Sequence, residues 1–151
     1  MIPRLPVTRA LAALIETATG LPVGLGRLPP NAPEPPYYLL YSVDGAFSGA
    51  PYADRHEDRT LVYQVTCVSG PDDDRPGSHG TEDQAEWMAD KVHQAVLGRD
   101  PATGRWRHDL NLPAGIRCTG RRPDTEPGGT SDPGDAIMSY VLRFRLDLTA
   151  A

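Results

Sequence analysis

The sequence predicts an α+β fold: a mostly antiparallel β-sheet with two α-helices packed on one face, and long loops between the elements. Three observations lead there. Two stretches repeat apolar residues at helical spacing, several others alternate or run apolar as strands do, and Gly and Pro gather between them. At 151 residues the chain has the size of one domain, 1–151, with one hydrophobic core.

The elements follow in order. Over residues 5–19, Val7, Leu11, Leu14, Ile15 and Ala18 share one helical face, Pro6 is tolerated near the start, and Gly20 ends the helix. A short strand fits residues 22–28, before a Pro-rich connection that is extended or turning. "YYLLYSV", residues 37–43, is aromatic and aliphatic enough for a strand. "RTLVYQVTCV", residues 59–68, sets Leu61, Tyr63, Val65 and Cys67 against Thr60, Gln64 and Thr66, the period of a half-buried strand and an antiparallel partner for the previous one. Thr81 caps a second helix, with Glu82 and Asp83 in its first turn and Ala85, Met88, Ala89, Val92, Ala95 and Val96 facing inward. Trp87, at the flank of that stripe, is expected in the core. A short strand follows around Ile116 and Cys118. The last strand alternates from Met138 to Leu148, and a one-residue slip would turn its whole apolar set outward. Two stretches, 44–58 and 119–136, remain as long loops, of a length that is usually functional or disordered.

Charge narrows the function. Fifteen Lys and Arg against 20 Asp and Glu give a net charge of -5, which argues against a protein that grips nucleic acid across a broad basic face. The two cysteines, Cys67 and Cys118, lie in strand-like runs and read as reduced core residues. The first 20 residues lack the long apolar core of a signal peptide, and no run approaches the roughly 20 apolar residues of a membrane span. The expectation is a soluble protein made in a cytoplasm.

"GPDDDRPGSHG", residues 70–80, is the first candidate for chemistry. Asp72, Asp73 and Asp74 supply the oxygen ligands that a hard cation takes, which keeps a small metal-dependent hydrolase as an alternative. Adjacent residues on an extended chain nevertheless point to alternate sides, and no calcium-loop spacing follows. A solvated acidic loop is the simpler reading. Neither cysteine nor any histidine has a zinc-ligand partner at suitable spacing, no serine sits in a nucleophile elbow, and the glycine runs lack a phosphate-loop lysine. No catalytic residue, metal or cofactor is expected. Trp106, in "TGRWRHD", fits either a contact surface or a cover over the edge of its own core. Arg143 and Arg145 project from the polar face of the last strand and would find carboxylates if a partner covered that face.

The order "PPYYLLYSV", "LVYQVTCVSG", "EDQAEWMADKVHQAVLG" and "MSYVLRFRLDL", behind a leading amphipathic helix, resembles the tail terminator (tail completion) proteins of long-tailed, non-contractile phages of actinobacteria. The resemblance spans nearly the whole chain and rests on the order, size and spacing of elements. It implies a non-enzymatic virion protein, a homohexameric ring in the neck at the head-proximal end of the tail tube. Such a ring stops tube polymerisation and joins the tail to a head-completion or connector protein, while DNA passes through its lumen without specific binding. Another head-tail connector or a tail tube subunit is the alternative within the same particle. Interface candidates are then Arg143, Arg145, Trp106, Asp72, Asp73 and Asp74.

Overall fold

The structure, a computed structural model, describes residues 1–31, 33–48, 58–71, 80–132 and 137–150. Among these described residues two helices and six strands follow one another as α1 (Arg4–Thr19), β1 (Val23–Leu25), β2 (Tyr37–Ser48), β3 (Asp58–Ser69), α2 (Glu82–Leu97), β4 (Ile116–Pro123), β5 (Gly128–Asp132) and β6 (Ile137–Ala150). All strands join one sheet, in the order β1-β2-β3-β6-β4 with β5 also paired to β6. Among the described residues β1 and β2 run parallel and the other pairings are antiparallel. The fold is the expected α+β arrangement.

Residue chemistry accounts for the helix ends. Gly20 takes a left-handed φ of 73°, which costs glycine no Cβ clash, and its N–H closes on the Glu16 carbonyl at 2.9 Å. At the start of α2 the Thr81 hydroxyl accepts from the Gln84 N–H at 3.1 Å, and Glu82 and Asp83 lie in the first turn. The Ser69 hydroxyl accepts from the Thr81 N–H at 3.1 Å, which ties that cap to the end of β3.

The β3 alternation works as the sequence implies. Leu61, Tyr63, Val65 and Cys67 stand opposite Leu146, Phe144, Leu142 and Tyr140 of β6, and Tyr38 and Leu40 of β2 continue the same face. Val7, Leu11 and Ile15 of α1 and Met88, Val92 and Val96 of α2 cover it, closing one core. The two tyrosine hydroxyls within that core have partners. The Tyr38 hydroxyl donates to the Met88 carbonyl at 2.9 Å, and the Tyr63 hydroxyl lies 2.9 Å from that of Thr8. Burial pushes the Tyr38 hydroxyl and the Cys67 thiol well above their ordinary pKa and raises that of the Tyr63 hydroxyl.

Both stretches expected as loops hold strand. β2 does not stop at residue 43: the register shifts between Ser42 and Asp44, and the strand runs on to Ser48 beside β3. A bulge lets a polar, Gly-containing segment keep pairing while its side chains change face. Residues 119–136 contain the rest of β4 and all of β5. These two share one edge of β6, β4 beside its second half and β5 beside its first. Between them, Asp124 N–H donates to the Arg143 carbonyl at 2.8 Å and Arg143 N–H to the Thr125 carbonyl at 2.7 Å, so the edge is nearly continuous. Gly120, Pro123, Gly128 and Gly129 disguise these strands in the sequence, and an edge is where such residues are tolerated.

Candidate interaction surfaces

Among the described residues the helices cover one face of the sheet and no helix or strand lies on the other. On that second face Arg143 stands opposite Gln64, and Arg145 lies between Val62 of β3 and Arg122 of β4. The Arg143 Nε donates to Gln64 Oε1 at 3.1 Å. Arg145 pairs with Asp124 at 2.9 Å, their side chains 41% and 20% exposed. Asp147 accepts from Thr60 at 2.9 Å and pairs with Arg122 at 2.8 Å. Both expected arginines therefore sit where the alternation puts them, each already held by a partner in its own chain. Val62, opposite Arg145, is buried although it points away from the helices.

The second surface surrounds Trp106, between α2 and β4. An antiparallel bridge pairs Arg99 with Trp106, and the Asp100 N–H donates to the Arg105 carbonyl at 2.8 Å, which folds residues 99–106 into a tight turn. Guanidinium groups lie on the Trp106 ring from two residues, Arg99 at 3.8 Å and Arg121 at 4.8 Å from its centroid. Trp106 is thus half-buried between two arginines of its own chain. Arg121 is only 7% exposed and donates to the His108 carbonyl at 2.8 Å and to that of Val96, in the last turn of α2, at 3.3 Å. Its Nε has no hydrogen-bond partner among the described residues. Desolvation by this burial lowers its pKa from the usual arginine range.

Sequence reasoning missed Arg121. Simple alternation from Ile116 and Cys118 puts residue 121 outward, but the register shifts between Cys118 and Gly120 and brings Arg121 opposite the buried Leu146. Gly120 within a strand was the available signal of such a bulge. Trp87 corrects another expectation: it is 50% exposed rather than part of the core. One residue ahead of Met88, it is turned by about 100° out of the buried arc, and Lys91, one turn on, rests its ammonium 4.5 Å from the ring centroid.

Asp72, Asp73, Asp74 and His79 lie outside the described residues. Among the described residues no three His, Cys, Asp or Glu side chains converge as a metal site would require. No described helix is long and apolar enough to cross a membrane.

Among solved structures the chain is similar to one from the virion of a native gene transfer agent particle. The likeness covers 97% of this chain and 95% of that one, with a TM-score of 0.61 and 19% sequence identity. The two share a fold. No protein-family model and no curated protein matches the sequence. The shared architecture extends across both surfaces described above, since nearly the whole chain is aligned.

Proposed function

We propose that this is a structural virion protein that forms a ring at the head-proximal end of a phage tail tube, where it terminates tube polymerisation and joins the tail to the head connector. One observation carries the reading: the fold matches a chain of a gene transfer agent virion over nearly its full length. The order of elements that resembles tail terminators points the same way.

In this reading the helix-covered core is scaffold, and the bare sheet face with Arg143 and Arg145, the Trp106 corner and the edge strands β4 and β5 face neighbouring proteins. A half-covered sheet with a long open edge suits a subunit that meets copies of itself, a tail tube protein and a connector. The net charge of -5 lets genome DNA pass a lumen without being trapped on it. No catalysis belongs to this role.

Negative-stain microscopy of the purified protein mixed with tail tubes tests it. Rings capping one end of each tube are expected. Protein spread along the tubes, or polymerising into tubes itself, would show a tube subunit instead, and no attachment to tubes would end the reading.

A further inference from the structure

Charge is sorted along α2. From Gly80 to Leu97 the chain carries four acids, Glu82, Asp83, Glu86 and Asp90, and one base, Lys91, a net of -3. From Arg99 to Arg122 it carries six arginines against Asp100 and Asp109, a net of +4. The acids lie on the first half of α2 and the arginines begin past its end; the helix rises about 11 Å from Asp90 to Leu97, more than the roughly 8 Å over which salt leaves charges in contact. The acids begin at the helix N-terminus and the arginines at its C-terminus, as the helix dipole favours. That preference accounts for one or two charges at each end and not for this many.

The excess is exposed and unspent. Glu82, Glu86 and Asp90 follow one another at four-residue spacing on the exposed side of α2, where like charges repel and weaken the helix. At the other end Arg99, Arg105, Arg107 and Arg117 are exposed. The ion pairs among the described residues are Arg122–Asp147 and Arg145–Asp124, and neither reaches these arginines or the α2 acids. Arg121, buried on the Val96 and His108 carbonyls, and Trp106, clasped by Arg99 and Arg121, hold the basic end in shape. Shallow depressions flank the Trp106 ring, one bordered by Arg105 and Arg107 and the other by Arg117 and Arg121.

We propose that this basic corner docks the acidic ridge of α2 of a second copy of the chain. Two like ends repel and two unlike ends attract, so the contact is head-to-tail rather than two-fold symmetric. Head-to-tail contacts close into rings when the rotation per subunit allows it. The inference rests on the ring reading above and supplies the surfaces that would meet. A second copy is the occupant because the chain itself carries, exposed, the carboxylates that the arginines lack.

Two charge-reversed variants test it, Arg105→Glu/Arg107→Glu and Glu82→Lys/Glu86→Lys, with circular dichroism to verify folding. The first takes the basic end from +4 to 0 and leaves the acidic end at -3, and the second takes the acidic end from -3 to +1 and leaves the basic end at +4. In sedimentation velocity at about 50 mM salt each alone is expected to be monomeric, while their equimolar mixture associates at least about tenfold more tightly than either. Raising salt to about 500 mM should dissolve the mixed species. A mixture no more associated than its components overturns the proposal, as does wild-type association that survives either double substitution. Loss of duplex DNA binding in Arg105→Glu/Arg107→Glu with self-association unchanged also overturns it, and assigns the corner to phosphates. If the variants still cap tubes as rings, the pairing falls and the tail-end role stands; association of the mixture without any capping by wild type reverses that outcome.

Discussion

Phe144 and Arg145 are neighbours on β6 and live under opposite rules. Phe144 is 1% exposed, set against Tyr63 and beneath α2, and what holds it is removal of apolar surface from water. Arg145 points to the bare face, where its bond to Asp124 competes with solvent on both partners. The same strand thus offers one side whose energy is already committed to the fold and another whose side chains are free to exchange an internal partner for an external one. Stability belongs to the first side, and the proposed ring would use the second for assembly.

The largest effect should come from breaking the covered side. Phe144→Ala is expected to cost about 3–5 kcal/mol, read as a lower midpoint in chemical denaturation, because the cavity beneath α2 cannot close fully. A loss under 1 kcal/mol would mean that the helices do not clamp this face. Next comes alkali. Tyr38, Tyr63 and Cys67 have folded pKa values raised above their unfolded ones by burial. Their contribution is therefore fully present below the unfolded pKa and lost as pH rises. Thermal scans should show the melting temperature falling progressively above about pH 9, where unfolded thiols and then phenols ionise. A flat profile to pH 11 would sink this account of the core. The smallest effect belongs to the bare side: a double-mutant cycle on Arg145→Ala and Asp124→Ala should give a coupling of about 0.2–1 kcal/mol that shrinks with salt. A coupling of several kcal/mol would erase the distinction between the faces.

The same contrast governs what the sequence reveals. β3, β6 and α2 are legible because burial against a core imposes a strict period, and the Thr81 cap bounds α2 by its own chemistry. β4 and β5 are edge strands, where one-sided pairing relaxes the demand on side chains and lets Gly120, Pro123 and Gly128 stand within them. Their bulge decides that Arg121 turns inward, and no periodicity announces a bulge. The two tryptophans show the limit at a single residue. Composition marks both as remarkable only by size, while a rotation of one position on α2 exposes Trp87, and two guanidinium groups recruit Trp106. At the bare face the strand period places Arg143 and Arg145, but Asp124 and Gln64, which hold them, come from elements distant in the chain.

β6 has a consequence for how the protein is made. It is the sixth strand in chain order, yet it lies inside the sheet and carries β3 on one side and β4 and β5 on the other. Until Ile137–Ala150 has left the ribosome, β3 has one bare edge and β4 and β5 have no ladder to join. A nascent chain at that stage displays Leu61, Tyr63 and Val65 on a strand with one open edge, the kind of surface that recruits chaperones or a second unfinished copy. Synthesis of Ile137–Ala150 is thus the step that commits the chain to its own sheet.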